Sequence, residues 1–216
     1  MIRFTLLGFP VTVHVMFWLV TGILGADLAQ RENGIFLLIL WVAAAFISIL
    51  IHELGHALLQ RKFGARAQII LYAMGGLAVP DRSLPRAQDI IVSLGGPLLQ
   101  IAVGLVVWQL MAHSTGDAWY VTAFLRSFWV VSIFWGLINL LPIYPLDGGQ
   151  ALKGVLGSRR EKLAYLVGMV CAIGLIIYVL TRPYPSVWNA MLCGMLAWEN
   201  FQRWQGNTPP SALAPR

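Results

Sequence analysis

The sequence predicts an all-α polytopic membrane protein of about six transmembrane helices, with a short β-strand or hairpin element after the second span. Three observations carry that expectation. Of 216 residues, 58% are hydrophobic and 11% charged, where an average soluble domain carries about 25% charged residues. Several apolar runs reach the roughly 20 residues needed to cross a hydrocarbon core of about 30 Å. The charges gather between those runs, as loops at a membrane surface require. Helix is the default within each run, because an open strand leaves its backbone polar groups unsatisfied in lipid.

The expected spans cover about 10–28, 35–59, 89–112, 118–146, 163–181 and 186–200. The first follows "MIRFTLLGF" without a small-residue cleavage pattern, so it reads as a span and not as a removed signal peptide. After the second, "RAQIILYAMGGLAVP" is too short and interrupted to cross again. Its β-forming run ends at Gly75-Gly76, which predicts the strand or hairpin. The sixth run is short, and Trp188 and Trp198 near its ends suit the interface. One membrane domain is expected over 1–205, followed by a polar, Pro-rich tail, 206–216, that reads as disordered.

Lys and Arg set the orientation. With the N-terminus in the cytoplasm, only Arg31, Arg126 and Arg182 of the 15 basic residues fall on or near the outside. The positive-inside rule therefore puts both termini in the cytoplasm, with the chain a multi-pass protein of the cell (cytoplasmic or inner) membrane. The net charge of +6 forms no basic stripe with interleaved aromatics, so nucleic acid is not an expected partner. Cys171 and Cys193 lie in apolar runs without a CxxC spacing and read as small buried hydrophobes.

Against this background, "ISILIHELGHALLQRKFG" (47–64) is anomalous, because it sets His52, Glu53 and His56 inside a span. Ionisable groups at the centre of a membrane helix cost about 2.5–3.5 kcal/mol or more, so they mark function by default. His52 and His56 stand at i, i+4 and project from one helix face, a spacing that lets two imidazoles bind one zinc ion. Glu53 is rotated by about 100° and can serve as a general base beside the metal instead of a ligand. A catalytic zinc needs a third protein ligand, and "INLLPIYPLDGG" (138–149) supplies a candidate in Asp147. Pro142 and Pro145 break the helix ahead of it, and broken helix at membrane depth is tolerated where it is buried or lines a cavity. Asp147 could instead simply cap the next short helix.

With these residues assembled, the chain resembles the site-2 protease family, the intramembrane zinc metalloproteases, in a compact prokaryotic form without a PDZ or CBS domain. The resemblance rests on "HELGH" at 52–56, "GG" at 75–76, "GGPLLQ" at 95–100 and "NLLPIYPLDGG" at 139–149. It implies His52, His56 and Asp147 as ligands of one Zn²⁺ per chain, Glu53 as the catalytic base and Asn139 as a polar catalytic residue near the scissile bond. It implies hydrolysis of peptide bonds in or near the transmembrane segments of membrane proteins, with a single-span membrane protein as the substrate. His14 matches a first-span histidine of compact members, and reads equally as a satisfied interior residue. Gln100 stands where the family pattern Gly-Pro-x-x-Asn has Asn, which leaves either similar hydrogen bonding or an altered hold on substrate. Three other functions are weighed against proteolysis, of which a membrane-bound di-iron oxidase would need several histidine pairs where this chain has one HxxxH pair. A divalent-metal transporter would spread ligands over several helices near the midplane, and a catalytically inactive scaffold would not need Glu53.

Overall fold

The computed structural model describes residues 1–73, 75–113, 118–183 and 187–207. The expected disordered tail from 208 onward, and the Trp188 side chain, lie outside the described residues. The chain divides into two compact units, Met1–Leu137 and Ile138–Arg216.

The first unit opens with a hairpin of β1 (Ile2–Leu6) and β2 (Phe9–Val13). Its two-residue turn uses positive φ at both Leu7 (51°) and Gly8 (86°), the backbone twist that matches flanking antiparallel strands. Helix α1 (Val15–Leu24) leads to α2 (Gly34–Lys62), and the chain returns as β3 (Ala67–Tyr72) and β4 (Gly75–Pro80). The four strands form one sheet in the order β1-β2-β3-β4, with β2 and β3 parallel and the outer pairs antiparallel. The parallel pair is possible because the two intervening helices make the crossover that parallel strands need. One sheet face, from Phe9, Val11, Val13, Ile69 and Leu71, packs on Ile49, Leu50, Leu54 and Ala57 of α2 in the unit's core. That sheet therefore braces the half of α2 that carries "HELGH".

Helix α2 has 29 residues, about 44 Å at 1.5 Å per residue. Gly64 ends it with φ of 81°, donating to Arg61 O while Ala65 N–H donates to Gln60 O. This paired closure satisfies the last free carbonyls of the helix and suits a glycine at that position. Helix α3 (Arg86–His113) crosses α2 with glycine against glycine. A methyl group on Gly55 would fall 2.5 Å from Gly95 O and 2.8 Å from Gly96 Cα. Small residues at such a crossing let two membrane helices approach closely. Helix α4 (Trp119–Asn139) completes the unit, with its last residues counted in the second.

The second unit contains the interrupted stretch 140–146, helix α5 (Asp147–Leu156), α6 (Glu161–Leu180) and α7 (Val187–Gln205). The helix break expected at Pro142 and Pro145 is present.

By length and composition, four helices can cross a membrane: α2, α3, α4 and α6 with the turn before it. The count of six expected from hydropathy is not reached among the described residues. The first expected span begins in strand β2, and its helix α1 has 10 residues, about 15 Å, half of a bilayer core. Hydropathy cannot separate a buried strand followed by a short helix from a continuous apolar helix. Helix α7 is long enough at 19 residues but carries Asn189, Glu199, Asn200 and Arg203. The hairpin expected over 66–80 is present as β3 and β4, enlarged by a second hairpin that the sequence reading did not foresee.

Candidate metal centre

His52, Glu53 and His56 are all buried, at 3%, 3% and 7% exposure. Their surroundings are polar where the chemistry needs it. His56 Nδ1 lies 2.7 Å from the Val92 carbonyl oxygen of α3. A carbonyl only accepts, so Nδ1 carries the hydrogen and Nε2 keeps its lone pair. His52 Nδ1 lies 2.9 Å from Gln100 Oε1, which likewise accepts. The Gln100 amide is held in that orientation from behind, because its Nε2 donates to Ser48 Oγ at 2.9 Å and Ser48 meets Ser132 Oγ at 2.8 Å. Gln100, Ser48 and Ser132 are all at 0% exposure.

Both imidazoles thus turn Nε2 inward, and the two Nε2 atoms are 3.1 Å apart. Two lone pairs facing at that distance repel unless a cation lies between them. Two nitrogens bound to one tetrahedral zinc at 2.0–2.1 Å would be about 3.3 Å apart, so the pair fits that ion. Gly96 makes room for it, since a methyl group there would come within 2.2 Å of His56 Nε2.

Gln100 is thereby placed. It backs His52, a candidate metal ligand, through the bond at Nδ1. Histidine ligands commonly need such a partner on the other ring nitrogen, and losing it costs about 10–100-fold in metal affinity. Gln100→Leu is expected to weaken zinc binding by that factor without unfolding the protein. Chelator competition on the purified protein measures it.

Glu53 faces the sheet. A methyl group on Gly76 would fall 2.4 Å from Glu53 Cγ and Oε1, so the β4 backbone runs directly over this carboxyl group. Since β4 is an edge strand, Glu53 lies beneath the sheet's outer margin. Tyr72, at the end of β3, was not foreseen as part of this site. Burial, with the Glu53 charge adding to it, pushes the Tyr72 phenol above its ordinary value.

In the second unit, Asp147 is the first residue of α5 and is 9% exposed. Its setting is built by the glycines that follow. A methyl group on Gly148 would lie 2.1 Å from Leu140 O, and one on Gly149 would lie 2.4 Å from the Ile143 carbonyl carbon. Only residues without a side chain let the loop backbone close on the first turn of α5. Asn139, at the end of α4, is half-buried. His52 and His56 of the first unit and Asp147 of the second are the described residues whose side chains could hold a metal ion. Two imidazoles and a carboxylate are a donor set suited to zinc with one position left open.

The other candidates fall away from this group. His14 is exposed ahead of α1, where its backbone N–H donates to Leu71 O, so it is no satisfied interior residue. His113 is exposed and bonds Gln109 O through Nδ1. Cys171 and Cys193 are free thiols of intermediate exposure.

Fold and hydropathy define a multi-pass membrane protein, and its histidine and aspartate donors suit a metal ion. A model of Peptidase family M50 matches residues 111–181, which include the Asp147 loop. "Zinc metalloprotease MJ0392" of Methanocaldococcus jannaschii is 27% identical over 184 residues, 81% of this chain and 52% of that protein. "Stage IV sporulation protein FB" of Bacillus subtilis is 32% identical over 143 residues, 65% of this chain and 45% of that one. The chain spans about half the length of the curated relatives it matches. The solved "Site-2 Protease from Methanocaldococcus jannaschii" superimposes with a TM-score of 0.67 at 22% identity, covering 100% of this chain and 99% of that one. This chain therefore has the site-2 protease fold, and the resemblance read from its motifs is matched by a Peptidase family M50 profile and by relatives named zinc metalloproteases.

Proposed function

We propose that the protein is a zinc-dependent intramembrane endopeptidase, with His52, His56 and Asp147 holding the ion, Glu53 as general base and Asn139 beside the scissile bond. The observation that carries this reading is the pair of Nε2 atoms turned toward each other at 3.1 Å, with both Nδ1 positions already engaged. That arrangement is costly for two neutral imidazoles and natural for two ligands. The kinship with named zinc metalloproteases supplies the reaction class.

Bound zinc supplies a Lewis acid and brings the pKa of a water toward 7. The residues do the rest. Glu53, one position along the helix from His52, accepts the proton on a carboxylate oxygen and returns it to the leaving amine nitrogen. Gln100 keeps the proton on His52 Nδ1, so its Nε2 stays a ligand throughout. Asn139 offers an amide hydrogen to the oxyanion that develops on the attacked carbonyl. Burial of the three "HELGH" polar side chains keeps bulk water from competing for these bonds. The substrate helix must unwind locally, because its carbonyls are otherwise engaged in i→i−4 bonds.

A single-span membrane protein is the substrate in this reading, cut in a cytoplasmic or inner membrane by an enzyme with both termini inside. The cluster of Arg159, Arg160 and Lys162 around the start of α6, and of Arg61 and Lys62 at the end of α2, supports that orientation. A transporter is disfavoured, since among the described residues the candidate ligands sit on two elements, α2 and α5. The test is cleavage of a single-span substrate in proteoliposomes. Removing zinc with a membrane-permeant chelator should abolish cleavage, and stoichiometric zinc should restore it. Cleavage that persists in the metal-free protein would refute the reading.

A further inference from the structure

We propose that Asn200, on the C-terminal helix α7, is a positioning residue that holds the turn presenting Asp147, and so helps set the metal affinity of the site. The inference rests on the reading of Asp147 as a zinc ligand. It gives the last helix, which carries no ligand of its own, a defined part in the chemistry.

Asn200 is at 0% exposure. Its Nδ2 donates to Tyr144 O at 2.6 Å and to Leu196 O at 2.8 Å. Both partners are carbonyl oxygens, so the amide cannot flip without setting oxygen against oxygen. The second bond is an ordinary contact to the preceding helical turn. The first reaches across 56 residues to the interrupted stretch. Asn200 Oδ1 has no hydrogen-bond partner and lies 2.4 Å from where a methyl group on Gly168 of α6 would stand. Leaving a buried acceptor unsatisfied costs about 1–3 kcal/mol, which marks the two donated bonds as the reason for an amide here. The same absent methyl of Gly168 would also lie 3.2 Å from Pro142 O. Helix α6, helix α7 and the turn therefore meet at a glycine and an asparagine.

Tyr144 is held at its ring as well as at its carbonyl. The Arg203 guanidinium lies 4.1 Å over its centroid, and Tyr165 meets it edge-on at 5.7 Å. Arg203 is itself oriented by Glu199 through a 2.8 Å ion pair. From Tyr144 to Asp147 the chain has no slack. Leu146 N–H donates to Ile143 O at 2.8 Å, and Gly149 abuts the Ile143–Tyr144 peptide. A shift of the Tyr144 carbonyl thus moves the first residue of α5, which is Asp147.

The test uses the full-length protein in detergent or bilayers and reads zinc affinity by chelator competition, with Co²⁺ absorption as a report on ligand geometry. Asn200→Ala is expected to weaken zinc binding about 10–100-fold, the usual effect of losing a group that orients a ligand, and to alter the Co²⁺ bands. In an Asp147→Ala background the same substitution should have no further effect, because the two act through one ligand. Unchanged affinity in Asn200→Ala, or a loss that adds in full to that of Asp147→Ala, would overturn the inference. Unchanged affinity in Asp147→Ala alone would instead overturn the ligand assignment on which it rests. If Asn200→Ala does not fold, Asn200→Ser decides. Its hydroxyl keeps the bond to Leu196 O and is too short to reach Tyr144 O, so affinity should fall in a folded protein, and wild-type affinity would refute the role.

Discussion

Replacing Glu53 by Gln is expected to cut turnover of a membrane substrate by about 10²–10⁴-fold, the usual share of general acid–base catalysis, while zinc stays bound. The prediction follows from where the side chain lies. Glu53 is 3% exposed and tightly covered by Gly76, so an isosteric amide keeps the packing while losing the ability to take a proton. The two imidazoles stand apart from it, with their Nδ1 atoms fixed by α3. Paired zinc analysis and single-turnover cleavage of wild type and variant measure the effect. Equal turnover would remove Glu53 from the mechanism, and loss of zinc would make it a ligand.

Replacing Asp147 has the largest expected effect on the metal. Asp147→Ala should reduce zinc affinity by more than the roughly 10–100-fold typical of groups behind the ligands, and activity should fall with occupancy. Asp147→Asn keeps the shape of the first turn of α5 and discards the charge, so it separates the ligand role from the helix-start role. An acid at the first position of a helix contributes only about 0.3–1 kcal/mol through the helix dipole. A capping role alone would therefore leave zinc affinity untouched in both variants and lower only stability. Zinc affinity and thermal unfolding, measured on the same preparations, distinguish the two.

The most legible features of the sequence were the local ones. His52, Glu53 and His56 could be read because an i, i+4 pair needs only one helix to form. The break before Asp147 could be read because Pro142 and Pro145 forbid continuous helix. The β3–β4 hairpin showed itself through its β-forming run and Gly75-Gly76. What stayed hidden depends on contacts between distant segments. Strand β2 was merged into the first span, since "FPVTV" is as apolar as a helix and its turn, Leu7-Gly8, lacks the Asn-Gly or Asp-Gly of a typical hairpin. The position of Gln100 was noticed, but its partner was not. The signal was present, because Gly96 and Gln100 are also one turn apart and must share a face of α3. That face meets His56 and His52. Asn200 carried little signal of its own, since it stands among Glu199, Gln202 and Arg203 near the end of α7.

Zinc-edge X-ray absorption on the purified full-length protein tests the central claim most directly. One zinc per chain is expected, bound by two imidazole nitrogens and carboxylate oxygen, with the oxygen contribution reduced in Asp147→Ala. A sulfur-ligated zinc, or a spectrum unchanged by loss of His52, His56 or Asp147, would contradict it.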